Sequence, residues 1–221
     1  MIRHHVPDDE LLAHAAGTAS DAASLAIACH AALCAECAAR TGELEALGGA
    51  LLSEGGQADL SPDALAAVLS RIDGPSEPRE RAAAAPEVPE LLRPYGLPRP
   101  LHRLLAGASS PVRWRFVIPG VRAIDLEVGS RSDAVRLIAF KGGVSIPLHD
   151  HGGPEHIVVF SGALEEDGAR FGRGDISVRE PGERHEQRIA PGEPCIALVV
   201  NEGKLQPLTL RGRLLLALSR D

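Results

Sequence analysis

The first third of the sequence has few of the side chains that build a large core. Only six of the 221 residues are aromatic, and none of them lies among the first 94 positions. Nineteen of the first 74 residues are alanine, which favours helix but offers little volume for packing. Helices with such small side chains need a source of stability besides their apolar core, and a bound metal ion is one such source.

The sequence also lacks long hydrophobic runs. No apolar run approaches the ~20 residues that a membrane helix needs, and the first ten residues, MIRHHVPDDE, lack the apolar stretch of a signal peptide. We therefore expect a cytoplasmic protein without a membrane partner. Three of the four cysteines lie within nine residues, a pattern that indicates a metal or redox cluster in a reducing compartment rather than a disulfide framework.

Positive charge is scarce in the same third. Residues 1–74 carry three basic and eleven acidic side chains, a formal charge of −8, whereas residues 75–221 carry 20 basic and 19 acidic ones. A negative surface repels nucleic acid and attracts basic protein surfaces, although acidic solvated helices are also common without any partner. We expect no direct binding of nucleic acid.

Helix signals fill the first third. Pro7 before three acidic residues suits a helix start, Thr41-Gly42 suits a helix end, and Ser61 before Pro62 suits an N-cap. Residues 1–75 are therefore predicted to form a small four-helix bundle. Its helices run from Pro7 to Gly17, from Ser20 or Asp21 to about Arg40, from Glu43 to Ser53 and from Ser61 to Ile72.

The composition changes after this bundle. Seven of the seventeen prolines fall between positions 74 and 100, which predicts an extended, semi-stiff linker over residues 76–100 with one helical turn near Glu90–Arg93. Residues 101–221 then show short runs of β-forming residues, typical of an all-β sandwich or barrel. The fold class is α+β in two domains. The predicted strands are Val112–Ile118, Val121–Glu127, Ala134–Phe140, His156–Ser161, Asp175–Arg179 and Cys195–Asn201.

A candidate metal site lies in the predicted second helix. The pattern His30-x3-Cys34-x2-Cys37 places three ligands at i, i+4 and i+7 on one helix face. Structural zinc needs four ligands, and His5 can reach the site from the chain before the first helix, with His4 as the alternate. In the competing interpretation the two cysteines are small core residues and the histidine is a surface residue. Cys29, by its spacing, is predicted to be a core residue rather than a ligand.

This N-terminal pattern resembles the zinc anti-sigma domain over roughly residues 1–75. The resemblance implies a four-helix module in which His5, His30, Cys34 and Cys37 hold zinc. It also implies a partner, an alternative sigma factor of the extracytoplasmic-function group, whose binding to core RNA polymerase or promoter DNA the module blocks.

A second candidate site lies in the β-rich part. Gly143-x5-His149-x-His151-x3-Glu155-x6-Gly162 resembles the first cupin motif at each position, and Gly174-x10-His185 resembles the second. The second motif departs from the family pattern because Glu180 stands at the usual proline and Ile189 at the frequent asparagine. The resemblance implies a cupin barrel with a metal held by the four motif ligands, which are His149, His151, Glu155 and His185.

The residues of the β-rich part support this interpretation but leave the metal open. His149 and His151 alternate on a strand and therefore point to the same side, whereas alternation turns His156 away from it. Three imidazoles and one carboxylate could bind Zn, Fe, Mn, Ni or Cu, and a barrel filled by side chains without metal is the alternative. His102 precedes the barrel and is predicted not to be a ligand.

The two parts together resemble the ChrR family of anti-sigma factors across nearly the whole chain. The resemblance implies a regulator, not an enzyme, that releases its sigma factor when the cupin domain senses singlet oxygen or organic hydroperoxides. The alternative is a metal-dependent cupin dioxygenase, hydrolase or isomerase with a regulatory helical N-terminus. Cys195 is either a redox participant or a buried strand residue. Release could begin at the cupin metal or by oxidation of Cys34 and Cys37 with loss of zinc.

Overall fold

The computed structural model describes residues 1–56, 58–73, 88–106, 112–129, 133–210 and 212–213. Helices occupy the first part of these residues, which we call the helical region (residues 1–73), and the segment 88–106 that follows. None of the described helices combines the length and apolarity needed to span a bilayer. The helices are α1 (Asp8–Ala15), α2 (Asp21–Ala31), α3 (Ala35–Glu54), α4 (Ala64–Asp73), a 3₁₀ helix (Glu90–Tyr95) and α5 (Arg99–Ala106).

The remaining residues form two antiparallel sheets, which we call the barrel (residues 112–210). The first sheet has the strand order β1-β2-β3-β10-β5-β8, and the second has the order β11-β4-β9-β6-β7. This confirms the predicted α+β class. The strands are β1 (Arg115–Ile118), β2 (Val121–Leu126), β3 (Asp133–Phe140), β4 (Ser145–His151), β5 (Glu155–Ser161), β6 (Leu164–Glu166), β7 (Ala169–Phe171), β8 (Ile176–Arg179), β9 (His185–Ile189), β10 (Cys195–Glu202) and β11 (Leu205–Pro207).

Two central strands of the six-stranded sheet, β5 and β10, are buried on both faces. In β10 the side chains of Ile196, Leu198 and Val200 pack in one apolar cluster, whereas those of the alternate residues Cys195 and Ala197 pack in another. Such continuous apolar runs are expected where both faces of a strand are covered. One face lines the barrel interior, and the other lies against the helices.

The helical region shares this outer face of the sheet as its core. Leu11 of α1 and Ile27 of α2 are fully buried in the same cluster as Val158 and Phe160 of β5. Helix α2 contacts both β5 and β10. The small side chains of the first third therefore pack against large side chains supplied by the barrel.

The structure corrects the predicted second helix. The helical region contains four α-helices, the expected number, but α4 buries none of its residues, and the break falls between α2 and α3 at residues 32–34 and not at Thr41-Gly42. Cys34 adopts extended backbone angles and caps α3, because its sulfur accepts the N–H of Cys37. Thr41 stays inside α3, where its hydroxyl donates to the carbonyl of Cys37 at 2.9 Å.

The prediction of an extended linker fails for residues 88–100. Its helical turn near Glu90–Arg93 is present within the 3₁₀ helix, and α5 begins at Arg99 inside the predicted linker. Leu92 and Leu97 are buried in the cluster that the helices share with the barrel. This packing explains why the segment folds back instead of remaining extended. Residues 74–87, which hold the rest of the predicted linker, lie outside the described residues.

Candidate metal centres

The structure brings together the four residues predicted for the helical site. They come from three segments, because His5 precedes α1, His30 lies in the last turn of α2, Cys34 caps α3 and Cys37 lies in its first turn. One potential ligand atom from each lies within 4.8 Å of the others. We call these four residues the helical group. The break between α2 and α3 lets the two helices approach it from different directions.

The distances within the helical group fit one tetrahedral ion. His5 Nδ1 lies 3.3 Å from Cys34 Sγ and 3.6 Å from Cys37 Sγ, and His30 Nε2 lies 3.3 Å from Cys37 Sγ. Around tetrahedral zinc, with the usual zinc–nitrogen and zinc–sulfur bond lengths, a nitrogen and a sulfur ligand are about 3.5 Å apart. Two thiols and two imidazoles are also a donor set that zinc prefers.

The outward-facing nitrogens of both imidazoles have acceptors. His30 Nδ1 donates to the carbonyl of Gly174 at 2.7 Å, and His5 Nε2 lies 3.5 Å from the Glu36 carboxylate. These contacts hold the other ring nitrogen toward the two sulfurs, as acceptors beside metal-binding histidines commonly do. His4, the predicted alternate, instead packs its ring on Phe171 with the centroids 4.1 Å apart.

The barrel holds a second group, at the positions of the four cupin-motif ligands. His149 and His151 lie on β4, and Glu155 and His185 begin β5 and β9. All four are buried, and their potential ligand atoms lie within 4.8 Å of one another. We call them the barrel group. Each residue is near the end of a strand that is hydrogen-bonded to a neighbour; the three histidines come from the five-stranded sheet and Glu155 from the six-stranded sheet that faces it.

Three imidazole nitrogens converge at the centre of the barrel group. His185 Nε2 lies 2.7 Å from His151 Nε2 and 3.0 Å from His149 Nε2. Glu155 Oε2 lies 3.3 Å from His185 Nε2 and 3.6 Å from His151 Nε2. Ligand atoms about 2.1 Å from one ion are roughly 3 Å apart when adjacent, so the spacing fits a single cation.

Acceptors on the opposite ring nitrogens turn these Nε2 lone pairs inward. His149 Nδ1 donates to the carbonyl of Pro147 at 3.0 Å, and His151 Nδ1 lies 3.1 Å from Asn201 Oδ1. His185 Nδ1 lies 3.1 Å from Glu166 Oε1, close enough for a hydrogen bond although the approach is not along the N–H direction. With Nδ1 protonated, each ring presents an unprotonated Nε2 that can bind a metal.

Burial shifts the pKa of three members of the barrel group, whereas for His185 burial is outweighed by the neighbouring carboxylates of Glu166 and Glu155, which raise the pKa. Burial lowers the pKa of His149 to about 4, an effect that His185 reinforces, and it also lowers the pKa of His151. Both rings are therefore neutral near pH 7 and free to act as ligands. Burial raises the pKa of the Glu155 carboxyl to about 7, and a cation at the centre would favour its ionised form.

Other residues singled out in the sequence lie away from both groups. Cys29 is fully buried in the core that α2 shares with the barrel, as predicted. Cys195 is a buried residue of β10, and burial raises the pKa of its thiol to about 12, which disfavours the reactive thiolate. His156 Nε2 lies 2.8 Å from the Glu10 carboxylate of α1, on the face of β5 opposite Glu155. His102 donates to the carbonyl of Leu97.

The sequence interpretation missed the residues that support the metal ligands. Glu166 is almost fully buried beside His185, Ser177 and Arg179, and Asn201 lies beside His151. No motif marks them, because their roles depend on strand pairings between distant segments. A different feature could have been predicted, namely that other parts of the chain pack on both faces of the sheet. The unbroken apolar runs of β5 and β10 indicate strands covered on both faces.

Comparisons with known proteins agree over nearly the whole chain. Residues 104–206 match the family described as the ChrR cupin-like domain. The chain is 37% identical over 206 residues to the anti-sigma-E factor ChrR of Cereibacter sphaeroides, covering 93% of this chain and 92% of that protein. It also matches a chain in the crystal structure of Rhodobacter sphaeroides SigE in complex with the anti-sigma ChrR. That match has a TM-score of 0.73 and 36% identity, and it covers 91% of this chain and 99% of the other. This protein therefore belongs to the ChrR family of anti-sigma factors.

Proposed function

We propose that this protein is an anti-sigma factor whose helical module, residues 1–75, sequesters a sigma factor of the extracytoplasmic-function group. The ChrR relative is named as an anti-sigma-E factor, and the matched crystal structure contains SigE together with ChrR. The observation on this chain that carries the proposal is an exposed apolar face on α4. It supports a regulatory protein that acts by binding, in agreement with the prediction that the chain is not an enzyme.

Helix α4 presents its apolar side chains to solvent. Leu65, Val68, Leu69 and Ile72 follow the i, i+3, i+4, i+7 spacing of one helix face, and between 48% and 70% of each residue is exposed. No residue of α4 is buried. Leu47, Leu51 and Leu52 in the second half of α3 are exposed as well. Contiguous exposed apolar surface of this kind marks a site that a protein partner covers.

Charge favours a basic partner at this surface. Residues 1–74 carry a formal charge of −8, so they attract a positively charged protein and repel nucleic acid. A sigma factor that binds polymerase and promoter DNA offers such basic surface. We place the complex in the cytoplasm, where this partner acts, and we propose no direct contact of the protein with nucleic acid.

We further propose zinc as the ion of the helical group, and zinc or another divalent transition metal as the ion of the barrel group. The support is the chemistry of the donors, since thiolates with imidazoles favour zinc, whereas three imidazoles with one carboxylate accept several metals. Bound zinc would supply a tetrahedral link between the chain before α1, α2 and α3. The proposed ligands are His5, His30, Cys34 and Cys37 for zinc, and His149, His151, Glu155 and His185 for the barrel ion.

The barrel, within residues 101–221, is the proposed sensor. The ChrR resemblance suggests singlet oxygen or organic hydroperoxides as the signal, with release of the sigma factor as the response. A full-length His149→Ala variant tests where sensing occurs. If the barrel group senses the oxidant, the variant keeps its sigma factor bound after oxidant treatment. If it releases the sigma factor as the parent protein does, the signal acts elsewhere, for example at Cys34 and Cys37.

Binding of a sigma factor tests the core of the proposal. The full chain is titrated with the extracytoplasmic-function sigma factors of its source organism by calorimetry, and one of them should bind with one-to-one stoichiometry. Leu69→Asp places a charge on the exposed face of α4 and should weaken binding by about 30-fold or more, the effect of losing one hot-spot residue. Phe116→Asp is the matched control, because Phe116 is also an exposed apolar residue, 63% against 48% for Leu69, but lies on β1 of the barrel.

Two results would contradict the proposal. In the first, none of the sigma factors binds the metal-loaded chain. In the second, a sigma factor binds, but Leu69→Asp weakens it no more than Phe116→Asp does, which would place the interface away from α4.

A further inference from the structure

A short turn of the barrel lies against the helical group. It comprises Phe171, the last residue of β7, and the residues Gly172, Arg173, Gly174 and Asp175 that lead to β8, and we call it the docking turn. Each end of it contacts the helical region, since Phe171 packs on the His4 ring and Asp175 binds the backbone of residues 3 and 4. The Arg173 guanidinium donates to the carbonyls of Tyr95 and Gly96, so the same turn also holds the segment before α5.

Asp175 fixes the backbone that leads into His5. Its Oδ1 accepts the N–H of Arg3 at 2.6 Å and that of His4 at 3.0 Å, and its Oδ2 accepts the N–H of Gly172 at 2.7 Å. The carboxylate is almost fully buried. Charge-assisted hydrogen bonds of this kind are among the strong ones in proteins, so the chain immediately before His5 has little freedom.

Gly174 orients a second member of the helical group. Its carbonyl accepts the Nδ1 hydrogen of His30 at 2.7 Å, which leaves His30 Nε2 facing Cys37 Sγ. A side chain at this position would be strained, because Gly174 has a φ of +90°, and an added Cβ, 2.6 Å from Ile2 Cδ1, would displace the Ile2 side chain. The glycine thus allows the chain start and the turn to approach closely.

We infer that the docking turn is the outer support of the helical metal site, with Asp175 as a positioning residue for His5 and the Gly174 carbonyl as the partner that orients His30. The barrel then sets how tightly the helical region holds its ion, because it fixes the backbone before His5 and orients the His30 ring, while α3 and its N-cap supply the two cysteines. This inference rests on the proposed metal site of the helical group.

The same element also reaches the barrel group. Strand β8 follows the docking turn directly, and its residues Ser177 and Arg179 contact the Glu166 carboxylate. Glu166 in turn lies beside His185 of the barrel group. The docking turn and β8 together therefore contact the helical group directly and the barrel group through Glu166, which makes this segment a place where a change in the barrel can alter the helical site.

Cobalt provides a test that reads the two sites separately. The full-length protein is loaded with Co²⁺, and the thiolate-to-cobalt charge-transfer absorption reports the helical group alone, because the barrel group contains no sulfur. Competition with a chelator gives the affinity of that site. Asp175→Ala removes all three acceptor contacts and should weaken it about 10- to 100-fold, the usual effect of losing an outer-shell partner. Asp175→Asn keeps one acceptor oxygen on its side chain, so the cobalt affinity of the helical site should fall less than in Asp175→Ala.

Asp125→Asn is the matched control. Asp125 lies on β2, four strands from β8 in the same sheet, and its replacement should leave the charge-transfer band and the affinity unchanged. Total cobalt after gel filtration shows whether the barrel ion is retained, as we expect for each variant. An affinity of Asp175→Ala within twofold of the parent value would overturn the inference. Equal loss of both ions would also overturn it, because Asp175 would then support the whole fold.

Failure of the proposed function would look different. A wild-type chain that holds cobalt through its cysteines but binds no sigma factor would contradict the anti-sigma proposal and leave the comparison of Asp175 variants intact. A wild-type chain without a thiolate-to-cobalt band would contradict the proposed site of the helical group, and the inference about Asp175 would fail with it.

Discussion

The helical region and the barrel achieve order by different means. The barrel has an interior apolar cluster of its own, with aromatic side chains such as Phe140 and Phe171 and with strands paired to neighbours. The helical region has no aromatic residue, and its buried side chains join a cluster completed by the barrel. The comparison suggests that a metal ion has a larger structural role in the first region than in the second.

Replacing a ligand of the helical group should have the largest effect on stability, and the effect should be greater in the helical region than in the barrel. Cys37→Ser removes one sulfur, and structural zinc contributes about 10–16 kcal/mol to folding in small zinc domains. We expect α2 and α3 to lose the most protection in amide hydrogen exchange measured by mass spectrometry, and β3 and β10, which share a core with the helices, to lose less. Cys29→Ala is the matched control, because Cys29 is a buried thiol on α2 outside the helical group. Equal exchange in both variants would contradict a structural role of the ion.

A cavity in the shared core should have the next largest effect. Ile27→Ala removes a fully buried side chain at the contact between α2 and the barrel, and such truncations cost about 3–4 kcal/mol of unfolding free energy. The loss should appear in both regions, measured by urea denaturation followed by hydrogen exchange. Leu47→Ala, at an exposed position of α3, should change stability little. A loss confined to the helices would show that the two regions fold independently.

Removal of the barrel ion should destabilise the protein less than either of these two substitutions. His149→Ala eliminates one ligand of the barrel group, yet the strands that carry the others remain paired. Stability should fall by about 2–3 kcal/mol when metal is present at roughly a hundredfold over its dissociation constant, and by less when metal is absent. Thermal unfolding with and without added metal measures this difference. Loss of β-sheet signal at room temperature would contradict the expectation.

A substitution on the barrel surface should have the smallest effect on stability. Asp125 lies between Arg115 and Arg136, and its hydrogen bond with Arg115 lowers the pKa of its carboxyl below the ordinary 3.8. The stabilisation is therefore complete above that pH and is lost as the pH falls through the lowered value. Because the side chain is half exposed, Asp125→Asn should cost less than about 1 kcal/mol at pH 7. The difference in urea midpoint should disappear at low pH, and a constant difference would contradict the ion pair.

Short-range patterns predicted much of this structure. Short ligand spacings indicated most of each group, His30-x3-Cys34-x2-Cys37 and His149-x-His151-x3-Glu155, and β-forming runs located six strands to within a few residues, since these signals lie within short stretches of sequence. Prediction failed where tertiary contacts decide. The helix break before Cys34 depends on a sulfur cap and on ligands from other segments, which the alanine-rich sequence does not reveal.

Short strands were harder to predict. β6, β7 and β11 have three residues each, too few for a clear alternation of polar and apolar side chains. The supporting residues Glu166, Asn201 and Asp175 were missed for a related reason. Each becomes meaningful only when strand pairing brings it to a ligand that is distant in sequence.

The first residues of the chain lie along β8, which is the edge of the six-stranded sheet. The N–H of Ile176 donates to the carbonyl of His4, so the segment before α1 partly covers this edge. Exposed sheet edges invite pairing with other molecules. Separation of the helices from the barrel would thus expose the unpaired edge of β8. The freed barrel would then be prone to self-association through this edge, which the segment before α1 partly covers in the intact molecule.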